Sequence, residues 1–176
     1  GVAAYGTIMY VNFVFLAIFF GYSIGSAPIV SYHYGAGNHP ELKNLFKKSL
    51  TLISSWGILL LVLSQLLAHP LSSLFVGYDA DLLAMTEHGF RIYALMYLIA
   101  GFNIFGSSFF TALNNGGVSA AISFLRTLLF QIAAVLLLPM IFDIDGIWIA
   151  ISVAELLTLC VTATFLITQR KKYHYA

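Results

Sequence analysis

Five long apolar runs divide this chain, and the charged residues between them are separated by sign. The runs cover residues 5–31, 50–68, 90–113, 118–141 and 147–168. Each contains about 20 residues or more, which at a rise of about 1.5 Å per residue lets a helix cross a hydrocarbon core about 30 Å thick. The sequence therefore predicts an all-α integral membrane protein with five transmembrane helices.

Basic and acidic connections alternate along the chain. Basic residues follow the first and last runs, and acidic residues follow the second and fourth: Lys43, Lys47, Lys48, Arg170, Lys171 and Lys172 are basic, and Asp79, Asp81, Glu87, Asp143 and Asp145 are acidic. Arg91 departs from this pattern. By the positive-inside rule, the basic connections are cytoplasmic. We therefore expect a multi-pass protein of the plasma membrane with its first residue outside and its C-terminus in the cytoplasm.

An outside start needs an explanation that the first residues do not contain. The chain begins with Gly1 rather than Met, and no basic segment, short apolar stretch and small-residue cleavage site follow it, so it lacks the pattern of a secretory signal. An upstream segment with an odd number of spans would place Gly1 outside. The alternative is a true five-span protein whose N-terminus is translocated.

The amino-acid composition indicates a lipid bilayer as the surrounding medium. The chain is 60% hydrophobic and 9% charged, whereas a soluble domain is about 25% charged. Its connections are too short for a separate soluble domain, and its net charge of +1 gives no support for a nucleic-acid partner. A single cysteine, Cys160, excludes an internal disulfide.

Sequence signatures of enzymes are missing. There is no HExxH, no CxxC, no glycine-rich phosphate loop and no pair of acids within the apolar runs. We therefore expect no enzymatic activity, no cofactor and no bound metal.

The first run has two distinct faces when it is drawn as a helix with 100° per residue. One stripe contains polar and aromatic residues, namely Tyr5, Met9, Asn12, Leu16, Phe19, Ser23 and Ser26. It either lines a cavity filled with water or ligand or forms hydrogen bonds between helices. On the opposite face, Ala17, Gly21 and Gly25 favour close approach of another helix. Pro28 removes one backbone hydrogen bond, and we expect a hinge there.

Three polar residues lie inside the later runs. Asn103 belongs to a stripe with Met96 and Ser107, where an amide more often bridges helices than contacts a substrate. Arg126 is expected to extend towards the cytoplasmic surface. Glu155 is the one acidic residue well inside an apolar run, which makes it a candidate for proton coupling. Its structural alternative is an ion pair with Arg126.

Several short motifs, taken in their order, are similar to a known family of transporters. They are Gly21 through Pro28, Ser31, Tyr32 and Tyr34 to Gly35-Ala36-Gly37-Asn38 and Leu42-Lys43, then Leu71 to Phe75, Phe109-Phe110 with Ala112-Leu113, Ser123-Phe124-Leu125-Arg126, Asp145-Gly146-Ile147-Trp148 and Ala154-Glu155. Together they resemble helices eight to twelve of multidrug and toxic compound extrusion (MATE) transporters.

The resemblance implies a fold and a function. A MATE transporter has twelve helices in two six-helix lobes and exports cationic or amphipathic compounds by H⁺ or Na⁺ antiport. This chain would be a partial C-terminal lobe over residues 1–176, with small organic cations or drugs, lipid and the N-terminal lobe of the same protein as partners. The substrate-cavity candidates are Tyr5, Met9, Asn12, Phe19, Ser23, Met96, Asn103 and Ser107.

The chain also departs from the family pattern. Thr111 and the turn Asn114-Asn115-Gly116-Gly117 stand where many members have a Gln and a Gly-Lys-Pro, and the helix-ten run contains no acid. We therefore expect the coupling-ion site in the N-terminal lobe. Two alternatives remain, a lipid-linked oligosaccharide flippase of the same wider superfamily and a non-transporting membrane scaffold. A flippase cavity would need several basic residues to bind a pyrophosphate, and here Arg126 stands alone.

Overall fold

Five helices long enough to cross a membrane make up the fold. The computed structural model describes residues 2–176, and within them the candidate spans are Val2–Gly35, His39–Val76, Ala80–Ala112, Gly116–Phe142 and Ile144–Thr168. The five predicted spans and the all-α class are confirmed. Each helix starts before its apolar run or extends beyond it, because polar residues at the membrane surface continue the backbone hydrogen bonding without contributing to hydropathy.

Two of the spans change helix type along their length. The first two are α1 (Val2–Gly35) and α2 (His39–Val76); the third joins α3 (Ala80–Tyr93), a 3-10 turn (Ala94–Met96) and α4 (Tyr97–Ala112); the fourth joins α5 (Gly116–Phe124), a π turn (Leu125–Phe130) and α6 (Gln131–Phe142). The fifth is α7 (Ile144–Thr168), and a short α8 (Arg170–Tyr173) follows it.

The connection between α1 and α2 ends in the sequence Asn38-His39-Pro40-Glu41, a pattern that predicts a helix start, and α2 begins there. Gly37 has a φ of 69°, a left-handed conformation that glycine adopts without strain. Asn38 is the N-cap of α2, and its side-chain oxygen accepts a hydrogen bond from the backbone N–H of Glu41 at 3.4 Å. Pro40 occupies the first turn of the helix, where its missing N–H has no consequence. The basic segment that contains Lys43, Lys47 and Lys48 therefore continues directly into the second span.

Helix α4 lies at the centre of the bundle and contacts α1, α2, α5 and α7. Gly101 allows two of these helices to approach it closely. An ideal Cβ at this position would lie 2.6 Å from Phe19 Cε1 and 2.8 Å from Ile53 Cγ2. The absence of a side chain at Gly101 thus sets the packing of α1 and α2 against the central helix.

The two faces of α1 have different surroundings. Asn12, Phe19 and Ser23 of the polar and aromatic stripe are buried against the rest of the bundle. Gly21 and Gly25 on the opposite face are exposed, and no heavy atom of the described residues lies within 4 Å of an ideal Cβ at either. The predicted close approach of another helix is therefore not made by residues 2–176 and stays a prediction.

We call the side of the bundle that contains the 35–39 connection, the 113–115 turn and the C-terminal tail the basic end. The tail packs onto it. Asn115 Nδ2 donates to the hydroxyl of Tyr173 at 2.9 Å, and the rings of Tyr34 and Tyr173 lie 5.5 Å apart. Tyr175 is buried, its hydroxyl donates to the carbonyl of Leu166, and burial raises the pKa of this phenol above its ordinary value. The hydroxyl therefore stays a donor.

The opposite side, which we call the acidic end, contains short polar contacts between helices. Arg91 Nη2 lies 3.0 Å from Glu87 Oε1 one helical turn earlier, and its Nη1 donates to the Gln65 carbonyl at 2.7 Å. His69 Nδ1 lies 2.9 Å from the other oxygen of Glu87. Arg91, the exception to the charge pattern, is thus held by an acid in the same helix and by α2.

Candidate functional site

A buried ion pair joins the fourth and fifth spans. Both Nε and Nη2 of Arg126 lie 2.8 Å from Oε1 of Glu155. The Glu155 side chain is 4% exposed and that of Arg126 is 20% exposed. Glu155 lies near the middle of α7, so the pair is deep within the spans. The expectation that Arg126 extends towards the cytoplasmic surface is wrong, because the carboxylate of Glu155 holds its guanidinium inside the bundle.

Asn103 completes the binding of the carboxylate. Its Nδ2 donates to Glu155 Oε2 at 2.7 Å and to the Glu155 backbone carbonyl at 2.9 Å. Its Oδ1 accepts from the hydroxyl of Thr162 at 2.9 Å. Both carboxylate oxygens of Glu155 therefore have partners, as a buried charge requires. We call Asn103, Arg126, Glu155 and Thr162 the ionic cluster.

The ionic cluster contains contributions from three spans. Arg126 lies in the π turn Leu125–Phe130, a wider helical turn that often occurs at functional positions. The sequence contains no Gly or Pro in this segment to mark the change of helix type. Thr162 was also missed by the sequence reasoning, because a threonine in an apolar run usually bonds its own helix.

A cavity of about 160 Å³ with both polar and apolar lining lies beside the ionic cluster. Its polar lining comes from α1, α4, α5 and the π turn and consists of Ser23, Asn103, Ser107, Ser108, Ser123 and Arg126. Phe20 and Ile24 also line it, and they are 44% and 68% exposed. We call this cavity the polar pocket. It combines hydroxyls and a guanidinium with an exposed apolar rim.

A chain of hydroxyl groups extends from the polar pocket towards the basic end. Ser107 Oγ lies 2.9 Å from Ser123 Oγ and 3.0 Å from Ser119 Oγ, and Thr111 donates to Ser119 Oγ at 2.7 Å. Of these four residues, sequence reasoning selected Ser107 alone. Thr111 lies in the last turn of α4, and Ser119 and Ser123 lie in α5 after the turn. No spacing rule on a single helix reveals hydroxyls that meet across two helices.

Some buried polar atoms have no partner. Within residues 2–176, Asn12 Oδ1 and Ser23 Oγ are buried without a hydrogen bond. Both belong to the polar stripe of α1, and Ser23 lines the polar pocket. A buried polar atom without a partner destabilises a fold by about 1–3 kcal/mol. Such an atom beside a cavity is therefore a candidate contact for a bound molecule.

The predicted cavity residues are distributed over different surroundings. Ser23, Asn103 and Ser107 line the polar pocket. Tyr5 lines a second, mainly apolar cavity of about 480 Å³ near the acidic end, next to Trp148. The remaining four are packed into the bundle or against its core, namely Met9, Asn12, Phe19 and Met96. The eight candidates therefore do not form one site within the described residues.

Pro28, the predicted hinge, is exposed and lies inside the unbroken helix α1. The part of the chain that the structure describes contains no group of three or more His, Cys, Asp or Glu side chains that could hold a metal ion.

Comparisons with known proteins agree with the architecture. The MatE family model matches residues 1–137. The fold is similar to the crystal structure of the Vibrio cholerae MATE transporter VcmN in the bent form, with a TM-score of 0.86, 18% sequence identity and coverage of 98% of this chain and 40% of that chain. No curated protein matches the chain by sequence.

A second solved structure gives the same result. It is an inward-facing conformation of a multidrug resistance MATE family transporter of the MOP superfamily, with a TM-score of 0.85, 15% identity and coverage of 97% of this chain and 39% of that chain. At these identities the likeness concerns the fold. The chain spans about two fifths of the length of each structure. Because the family model matches most of its residues, the chain belongs to the MatE family of membrane transporters.

Proposed function

We propose that this chain acts as the C-terminal lobe, helices eight to twelve, of a plasma-membrane exporter of cationic or amphipathic compounds that is driven by H⁺ or Na⁺ antiport. The observation that supports it is the position of the ionic cluster beside the polar pocket, deep within the spans. Ionised residues inside a membrane are costly and commonly mark substrate or ion pathways. A cavity with hydroxyls and an apolar rim suits amphipathic molecules.

In this proposal the ionic cluster supports the fold and does not bind the coupling ion. Both oxygens of the Glu155 carboxylate already have partners in Arg126 and Asn103, so a coupling cation would have to displace one of them. This supports the proposal that the coupling-ion site lies in the N-terminal lobe. The alternative is that protonation of Glu155 releases Arg126 and couples transport to H⁺ directly.

The experiment measures ethidium export by the full-length protein in everted vesicles, under an H⁺ gradient and separately under a Na⁺ gradient. We expect one of the two gradients to drive export. No export under either gradient would contradict the proposed function.

Glu155→Gln then decides the role of the carboxylate. We expect the folded and inserted variant to keep the pH dependence of export, because the coupling site lies elsewhere. Glu87→Gln is the matched control, since Glu87 is also paired with an arginine but lies at the acidic end. If Glu155→Gln alone abolishes the pH dependence while the protein remains folded, Glu155 is the coupling residue.

Two other functions predict different results. A flippase for a lipid-linked pyrophosphate needs several basic groups, and in the part of the chain that the structure describes the polar pocket contains Arg126 as its basic residue, already paired with Glu155. A scaffold would export no dye at all. Selective dye export by the complete protein therefore separates the proposal from both.

A further inference from the structure

We infer that the polar pocket binds an uncharged hydrogen-bond-accepting oxygen, such as an ester or amide carbonyl, of a transported amphipathic molecule whose apolar part lies on Phe20 and Ile24. The inference rests on the proposed function and names the chemical group that this site selects. Its basis is two residues that line the pocket, Ser23 and Arg126, each of which has a hydrogen-bond donor without an acceptor among residues 2–176.

The first donor is the hydroxyl of Ser23. This residue is 2% exposed, and within residues 2–176 its Oγ has no hydrogen-bond partner. The neighbouring hydroxyls do not supply one, because Ser108 and Ser26 both donate to the backbone carbonyl of Ser23, at 3.0 Å and 3.3 Å. Ser23 is among the residues that line the pocket. Buried hydroxyls normally have partners, so an oxygen on a bound molecule would complete this one.

The second donor belongs to Arg126. Its Nε and Nη2 both bind Oε1 of Glu155. The third nitrogen, Nη1, makes no hydrogen bond to any residue that the structure describes, and Arg126 also lines the pocket. A guanidinium carries five N–H donors. Ser23 of α1 and Arg126 of the π turn therefore both line this pocket and both carry a donor that lacks an acceptor among residues 2–176.

The charges around the pocket favour a neutral acceptor. The titratable groups are Arg126 and, behind it, Glu155, and together they are neutral. A carboxylate in the pocket would be repelled by the nearby carboxylate of Glu155. An ammonium group would be repelled by the guanidinium of Arg126. A carbonyl oxygen accepts from both donors without either repulsion. The positive charge of a cationic compound must then lie outside this pocket.

The size of the pocket limits what enters it. Its volume of about 160 Å³ equals about five water molecules at about 30 Å³ each, which is enough for an ester or amide group. Cavities that enclose drug-sized molecules measure about 300–1,000 Å³. The larger apolar part of the molecule therefore remains at the rim, where Phe20 and Ile24 are exposed.

The test uses two dyes that differ by one group. Tetramethylrhodamine methyl ester and tetramethylrosamine share a cationic xanthene, and the former has an ester on its phenyl ring. Binding of each dye to the purified full-length protein in detergent is measured by fluorescence polarisation. Ser23→Ala is expected to weaken binding of the ester dye about three- to tenfold, the range for loss of one hydrogen bond, and to leave tetramethylrosamine binding unchanged.

Two controls separate this effect from a change in folding. Ser64→Ala removes an equally buried hydroxyl that donates to the Leu60 carbonyl within α2, and it should change the affinity of neither dye. Ser23→Ala should not lower the melting temperature, because it removes a hydroxyl that lacks a partner. Equal affinity changes for both dyes, or none for the ester dye, would overturn the inference while leaving the proposed function intact. A wild-type protein that binds neither dye would overturn both.

Discussion

Asn103 and Glu155 show how one polar residue determines the surroundings of another. The amide of Asn103 binds the carboxylate and the backbone carbonyl of Glu155, and its oxygen accepts from Thr162. Glu155 in turn holds Arg126 inside the bundle. Removing one member of such a cluster leaves a charge without a partner in a medium of low dielectric constant. The resulting loss of folding free energy therefore exceeds the net stabilisation that the intact pair provides.

A double-mutant cycle at this pair tests the argument. Arg126→Met and Glu155→Leu are each expected to destabilise the folded state by about 3–5 kcal/mol, because each strands a buried charge, whereas the double variant should cost markedly less than the sum. Unfolding of the purified protein by increasing fractions of SDS measures the three free energies. Additive costs would mean that the two charges do not interact in the membrane-bound protein.

At the scale of the element, α1 combines a buried polar face with an exposed face of small residues. The buried face packs on α4, where Gly101 admits Phe19, and it brings Ser23 to the polar pocket. The exposed face contains Gly21, Gly25 and Pro28. Pro28 removes one backbone hydrogen bond from α1, and helices bend preferentially at such positions.

Pro28→Ala restores the missing backbone donor and should stiffen α1. The expected outcome is a slower rate of dye export, with dye affinity unchanged, since Pro28 does not line the polar pocket. Export rates and dye binding of the full-length variant are compared with those of the wild type. An unchanged export rate would end the hinge hypothesis.

At the scale of the whole molecule, the bundle has two chemically different ends. Lys43 lies in the first turns of α2 at the basic end, and Tyr78 is 82% exposed at the acidic end. The positive-inside rule predicts that the basic end is cytoplasmic. The difference in charge between the two ends depends on a few residues at each end. Orientation is therefore a property of the whole charge distribution and not of one connection.

Cysteine labelling checks the orientation. In a Cys160→Ala background, a membrane-impermeant maleimide is expected to label Tyr78→Cys on intact cells and to label Lys43→Cys only after permeabilisation. Labelling of Lys43→Cys on intact cells would mean that the basic end faces outwards and that the predicted topology is inverted.

The amino-acid sequence by itself determined the class of the protein, the number of its spans and the start of α2. Those features depend on hydropathy over a span length and on local capping at Asn38, which are properties of contiguous residues. The motifs that resemble those of MATE transporters also consist of residues close together in the sequence. Glu155 and Arg126 were recognisable as candidates because charges inside apolar runs are costly.

Only the tertiary structure decided how these residues meet. It placed Asn103 on the same carboxylate as Arg126 and Thr162 on the amide oxygen of Asn103. It also left the Ser23 hydroxyl without a partner among residues 2–176 and dispersed the eight cavity candidates over several environments. The rotation of each helix about its axis depends on the side chains of its neighbours. The π turn at Leu125–Phe130 changes that rotation, and the segment contains no Gly or Pro from which the change could be predicted. Periodicity within one helix separates its faces, but it does not identify which neighbouring helix will cover each face.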